Sequence, residues 1–272
     1  MRVAVVGKGG VGKTFVAGTL AKASRKFGET VIAIDADPTM NLFLEFGIDP
    51  ERMLGVTPIS ENQDLIEEKT GVPVYDGDST MYNLNPTVDG IVEKYSIESP
   101  QGIRLLVMGT VRNAGQGCMC PANALLRALL RHILLRMPAT VIVDMEAGLE
   151  PLGRGTIEYV DVILNVVEPS TQSIETSFKI YRLAAELGIG RHLLIANKVG
   201  SEEERIFVEE ALAAHGLRLA LVIPYDEEVR LRARRHGTSR MCVNSPAVEE
   251  ISRLARKLHE SEEKPSSKLA GT

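Results

Sequence analysis

Up to about residue 260, two hydrophobic patterns alternate along the chain. One is a short run that is apolar at nearly every position. The other is a longer stretch whose apolar residues recur every three or four places. The uniform runs predict strands covered on both faces, at 2–6, 30–34, 103–108, 140–143, 162–167, 192–197 and 217–223. The periodic stretches predict helices at 13–27, 121–136, 171–187, 202–215, 227–236 and 247–259. Alternation of this kind predicts an α/β fold: a mostly parallel sheet flanked by helices on both faces. Residues 49–100 break the rhythm. They are rich in Gly, Pro, Asp, Ser and Thr, with one short helical pattern at 88–95, and read as an insertion in a single domain spanning 1–260. Residues 261–272 read as a flexible polar tail. No internal repeat is visible.

Composition narrows the function. The chain has 272 residues and a formal net charge of −5, which argues against holding nucleic acid by its overall field. No stretch reaches the roughly 18 consecutive apolar residues of a membrane span. The apolar start, Met1 to Val6, is too short for a signal peptide. Three cysteines fit a reducing compartment. The expectation is a cytoplasmic protein with neither nucleic acid nor membrane as partner.

The first strand runs into Gly7-Lys8-Gly9-Gly10-Val11-Gly12-Lys13-Thr14, which is G-x-x-x-x-G-K-T between a strand and a helix. That context is what a phosphate-binding P-loop requires. Its glycines let backbone N–H groups face phosphate oxygens, and the helix N-terminus adds a positive dipole end. Lys13 is expected on the β- and γ-phosphates and Thr14 on Mg²⁺. Lys8 is an extra lysine that the loop does not need. By itself it reads either as a solvated side chain or as added charge for a triphosphate.

Acids end two of the strands. Ile34-Asp35-Ala36-Asp37-Pro38 places carboxylates at i and i+2 on a strand tip, where ligands bind in open α/β sheets; an Asp-Pro turn would also account for Asp37. Val141-Ile142-Val143-Asp144 is an apolar strand ending in an acid. It is Walker-B-like, with Asp144 toward hydrated Mg²⁺, and Glu146 is expected in solvent. Asn197-Lys198 ends another strand, and an amide there can pair with a purine edge through donor and acceptor. Pro224-Tyr225-Asp226 follows the last strand. The guanine signature Asn-Lys-x-Asp is absent, because Gly200 stands where its acid would be.

Gly117-Cys118-Met119-Cys120-Pro121 lies between a strand and a helix. Thiols near a helix N-terminus have lowered pKa values, so Cys118 and Cys120 are candidate ligands. Two sulfurs fall short of the about four that zinc or nickel usually takes. A twofold axis between two such loops would supply four, in a tetrahedron for Zn²⁺ or a square plane for Ni²⁺. Small core residues are the alternative for the pair. Cys242 reads as core or loop.

Lys8-Gly9-Gly10-Val11-Gly12-Lys13-Thr14 resembles the deviant Walker A of the MinD/ParA/nitrogenase-iron-protein group of P-loop NTPases. The resemblance implies an ATPase that closes as a homodimer, with Lys8 reaching the partner's nucleotide. It also implies Asp35 near Mg²⁺ through water, Asp37 on the attacking water, Gly148 of Ala147-Gly148 as a γ-phosphate sensor, and adenine near Asn197, Lys198, Pro224 and Asp226. Within that group, Gly117-Cys118-Met119-Cys120-Pro121 with Asn123 to Arg127, Asp144-Met145-Glu146-Ala147-Gly148, and Leu152-Gly153-Arg154-Gly155-Thr156 looks like the CooC family. Those are nickel-dependent ATPases that mature carbon monoxide dehydrogenase. The implied cargo is Ni²⁺ or Zn²⁺, and the implied client is that dehydrogenase or acetyl-CoA synthase. Two other readings stay open here. One is a partition ATPase, for which Arg230, Arg232, Arg234, Arg235 and Arg240 form a basic stretch. The other is an iron–sulfur reductase, since four cysteines per dimer suffice for a cluster.

Overall fold

The computed structural model describes residues 1–72, 82–110, 120–148, 159–233 and 245–263. Its strands are β1 (Arg2–Gly7), β2 (Val31–Ala36), β3 (Ile97–Glu98), β4 (Arg104–Val107), β5 (Thr140–Met145), β6 (Val162–Val167), β7 (His192–Val199) and β8 (Leu219–Pro224). They form one sheet in the order β3-β4-β2-β5-β1-β6-β7-β8. Every neighbouring pair is parallel except β3 and β4. The expected α/β architecture is therefore present, with a short antiparallel edge added.

The helices are α1 (Lys13–Lys26), α2 (Leu42–Glu45), α3 (Pro50–Met53), α4 (Gln63–Thr70), α5 (Ile91–Tyr95), α6 (Cys120–Arg136), α7 (Thr171–Glu186), α8 (Glu202–Ala213), α9 (Glu227–Ala233) and α10 (Pro246–Glu263). The period-2 pleat divides each central strand between two cores. Val3 and Val5 of β1 face α1 and α10, meeting Val16, Leu20, Ile251 and Leu258. Ala4 and Val6 face the other layer, which holds Leu125, Leu129 and Ile133 of α6 and Ile180 of α7. Both layers are buried, which explains why these strands are apolar at nearly every position.

The described parts of 49–100, residues 49–72 and 82–100, do not stand apart. Ile59, Leu65, Ile66, Ile91 and Val92 are buried in the same core as α6. The described part of the insertion thus packs its short helices against that layer. β2 extends two residues past its apolar run, because backbone pairing with β5 continues through Asp35↔Asp144 and Ala36↔Met145. At the C-terminal end, α10 continues through Glu263, so residues 261–263, expected in the tail, are helical.

The strand order places the site. β1 lies between β5 and β6, while β2 lies on the far side of β5. The chain leaving β1 through α1 must pass over β5, which makes the C-terminal end of β1 a switch point where α/β sheets bind ligands.

Candidate functional site: a phosphate cradle beside two buried carboxylates

Gly7 leaves β1 with φ +148°, and a Cβ on it would lie 2.4 Å from the Val166 carbonyl oxygen. Only glycine lets the loop start against β6. Gly12 precedes α1 with φ +96°. α1 has no side-chain cap at this end, unlike α4, α7 and α8, which Asn62, Ser170 and Ser201 cap. Its first-turn N–H groups are left for an outside acceptor, as at an anion-binding helix end.

The loop is held from behind by the end of β7. The Asn197 side-chain amide, buried, donates to the Val11 carbonyl at 2.7 Å. The Lys198 ammonium donates to the Gly10 carbonyl at 2.5 Å and pairs with Glu168 at 3.2 Å. Lys198 sits at φ 61°, in the left-handed region, where β7 and β8 lose register between Ala196 and Val199. Two successive carbonyls of the loop are thereby held by the end of β7. Asn197 and Lys198, expected at the purine, reach the P-loop in this structure. Asp226 accepts backbone N–H bonds from Glu228 and Val229 and the Ser245 hydroxyl, joining the start of α9 to the residue before α10. Pro224 ends β8 and is half-buried.

Lys13 is buried, and its ammonium turns back toward the Lys8 carbonyl at 3.4 Å. Burial lowers its pKa, and Asp144, Asp37 and Glu146 oppose that shift. Asp35 and Asp144 stand at matching positions on adjacent strands, both 1% exposed. Neither oxygen of Asp144 accepts a hydrogen bond. Burial raises its pKa to about 7, and the negative charges of Asp35 and Asp37 add to this; the Thr14 hydroxyl, nearby but short of a formed bond, and Lys13 act the other way. Burial also raises Asp35 to about 6, although its carboxylate accepts the backbone N–H groups of Leu42 and Asp37.

A buried carboxylate with no partner is rare and costly. Beside a Thr hydroxyl and a second acid it is an all-oxygen donor set of the kind Mg²⁺ takes. The residues present therefore fit the expected ion, with Thr14, Asp144 and Asp35 around it. Asp37 is half-buried at the turn after β2, where its carboxylate accepts the Thr39 backbone N–H at 2.8 Å. Gly148, with φ +102°, donates its N–H to the Gly7 carbonyl at 3.2 Å, so the chain after β5 touches the start of the P-loop. Lys8 rests in cis, its ammonium donating to Gln172 of α7 at 3.0 Å. That partner carried no signal in the sequence, being one polar residue in a helix's first turn.

Cys120 is the first residue of α6, exposed, and disulfide-bonded. Its bonding partner, Cys118 and Cys242 lie outside the described residues. Among the described residues no group of three His, Cys, Asp or Glu side chains could hold a metal ion, and no helix is long and apolar enough to cross a membrane. Of the basic stretch, Arg230 and Arg232 are paired with Glu227 and Glu228; Arg234, Arg235 and Arg240 lie outside the described residues.

Residues 3–238 match the family model of the CobQ/CobB/MinD/ParA nucleotide binding domain. The chain is 45% identical over 230 residues to the carbon monoxide dehydrogenase accessory protein CooC of Rhodospirillum rubrum, covering 85% of this chain and 86% of that one. It is 44% identical to an uncharacterized ATP-binding protein of Methanocaldococcus jannaschii, covering 84% and 87%. Its fold is similar to that of the MinD cell division protein of Aquifex aeolicus, with a TM-score of 0.67 at 20% identity, covering 95% and 96%.

Proposed function

Because the chain belongs to the CooC-type ATPases of the MinD/ParA group, we propose that it is a metallochaperone that spends ATP to handle Ni²⁺, or Zn²⁺ in its place, for carbon monoxide dehydrogenase. Acetyl-CoA synthase is the alternative client. The observation that carries the reading is the pairing, in one chain, of the Lys13–Asp35–Asp144 cradle with a Cys-Met-Cys sequence at 118–120, whose last residue, Cys120, opens α6.

In this reading ATP lies with its phosphates over 7–14 and Lys13 against its β- and γ-phosphates. Thr14 and Asp144, with Asp35 behind, would hold Mg²⁺, which would supply charge neutralisation at the phosphates. Asp37 orients the attacking water. A second copy of the chain faces the first, and each Lys8 leaves Gln172 for the opposite triphosphate. Charge supplied from outside the subunit makes hydrolysis depend on dimerisation. Cys118 and Cys120 of both subunits then give the cargo metal four sulfurs. Thiolates are the ligands, so the disulfide at Cys120 must first take up two electrons and two protons from a dithiol. That requirement fits a reducing cytoplasm.

Metal analysis of protein reduced with a dithiol and then freed of it tests the reading, with and without a non-hydrolysable ATP analogue. The expected result is one nickel or zinc per two chains, increased by the analogue and absent from Cys118→Ser/Cys120→Ser. A double variant that still bound one metal ion per dimer would overturn the metal assignment. A strictly monomeric wild-type protein under saturating analogue would overturn the rest.

A further inference from the structure

α2 is a short strut between the P-loop helix α1 and the acids of the cradle. Its first residue, Leu42, donates its backbone N–H to one oxygen of the Asp35 carboxylate at 2.9 Å. The other oxygen accepts the Asp37 N–H at 3.1 Å. The Asp37 bond is local and follows Asp35 wherever the turn goes. The Leu42 bond comes from the next element and holds only while α2 stays in place. What keeps α2 in place is α1. Gly18 and Lys22 lie one turn apart on the same face of α1. A Cβ on Gly18 would lie 2.5 Å from the Cβ of Glu45, the last residue of α2, so the helices touch where α1 has no side chain. One turn on, the Lys22 ammonium donates to the Glu45 backbone carbonyl at 3.0 Å and to its carboxylate at 3.3 Å. Burial raises the pKa of Glu45, and the Lys22 charge opposes that rise. Leu42 and Phe46, both fully buried, seat the two ends of α2 in the core.

We propose that Lys22 and Glu45 are positioning residues for Mg²⁺: by clamping α2 to the P-loop helix they keep the Leu42 N–H on Asp35 and so aim its carboxylate at the ion site. The inference rests on the Mg²⁺ reading of the cradle and is independent of the cargo metal. Lys22 acts through Glu45 and Leu42, not by contact with the ion. The loop that takes the phosphates is supported separately, by Asn197 and Lys198. Loosening α2 should therefore weaken the ion and leave metal-free nucleotide binding unchanged. A plain charge effect has the opposite sign, because removing a cation favours the binding of another.

The test uses the full-length chain with ADP, which excludes turnover. ADP affinity is measured by calorimetry at one Mg²⁺ concentration and in chelator, in wild type, Lys22→Met, Gly18→Ala and Lys22→Met/Glu45→Gln, alongside the denaturant midpoint of each. The ratio of the two affinities reads what the ion contributes. Loss of a partner behind a metal ligand costs about ten- to a hundredfold in metal affinity, so in Lys22→Met the ratio is expected to fall by about tenfold, with affinity in chelator unchanged. Gly18→Ala pushes α2 off α1 with both charged groups intact; it should act the same way, and it is read instead if Lys22→Met lacks a cooperative unfolding transition. The double variant removes the stranded Glu45 charge. It should regain stability without regaining the ratio, because the donor to the Glu45 carbonyl is still missing. A ratio that recovers with stability, or one unchanged in Lys22→Met, overturns the inference and leaves the Mg²⁺ reading standing. A wild type whose ADP affinity ignores Mg²⁺ removes both.

Discussion

Gly12→Ala and Gly10→Ala make a matched pair that isolates one contact behind the P-loop. Both glycines have positive φ, +96° and +83°. Either alanine is strained by its backbone alone, at a cost of about 1–3 kcal/mol. They differ in what the new Cβ meets. At Gly10 nothing lies within 4 Å; at Gly12 the Asn197 amide nitrogen lies 2.4 Å away. That nitrogen holds the Val11 carbonyl and Asn197 is 4% exposed, so it has no solvent into which to retreat. Displacing it leaves a buried donor and acceptor unpaired, about 1–3 kcal/mol more. Gly12→Ala is therefore expected to be less stable than Gly10→Ala by about that amount. For a chain of this size each kcal/mol lowers the melting temperature by about 2–4 °C. Thermal unfolding of the two variants without nucleotide, followed by titration with an ATP analogue, checks it. Equal melting temperatures, or a larger loss in Gly10→Ala, would refute the claim that Asn197 is the loop's rear support.

Lys8→Ala should leave stability within about 0.5 kcal/mol of wild type, since Lys8 contacts an exposed glutamine. ATPase turnover should fall by about a hundredfold or more, measured by phosphate release at saturating ATP. Asp144 and Asp35, raised to about 7 and about 6, bind protons in the folded state that the unfolded chain has lost. Their contribution to ligand-free stability therefore declines as pH rises from about 4 to 7. His192, held down to about 4 by burial, contributes the opposite slope. The measurement is thus the difference between wild type and Asp144→Asn in denaturant midpoints at pH 5 and pH 8; the variant should gain on wild type as pH rises, and a constant difference would refute the assignment. Far from the site, Glu29 joins the His259 ring and the Thr140 hydroxyl. Glu29→Gln should lower stability by about 1–3 kcal/mol without changing ATP turnover per folded molecule.

Much of the fold was legible because its signals are local. Uniform apolar runs fixed β1, β5 and β6, since each is buried on both faces. The P-loop was legible because glycines and a lysine at fixed spacing have few other uses. Of the insertion only the helical pattern at 88–95 was legible, matching α5 at Ile91–Tyr95; the rest was not, because its ordering comes from tertiary contacts, with Ile59 and Leu65 buried in the same core as α6. The end of β2 was placed at Ile34 on hydropathy, whereas pairing with β5 carries it through the charged Asp35. At the site, the acids were found from strand ends, but their unequal surroundings were not. Nothing in the sequence distinguishes Asp35, which accepts two backbone N–H bonds, from Asp144, which accepts none. Gln172 and Lys22 were invisible because a single polar side chain acquires a role only through what the fold places opposite it.

The unpaired Asp144 is the most informative energetic fact in the molecule. An isolated buried carboxylate lowers the stability of the ligand-free protein, whether it stays charged at the cost of desolvation or takes up a proton. An asparagine at 144 would avoid the part of that cost that comes from charge. The expense is recovered only when a cation enters, because a ligand that binds the folded state alone stabilises it by mass action. Lys13, itself buried and pushed toward its neutral form, is in the mirror situation and gains from a phosphate as Asp144 gains from a cation. The two groups lie close enough for each to feel the other's charge, which offsets only part of either cost. A Mg²⁺–triphosphate offers a partner to both at once, whereas either the ion or the phosphate alone leaves the other group with only its neighbour's partial compensation. That mutual dependence explains, without any contact to the base, why the cradle should discriminate the complete metal–nucleotide complex from its parts.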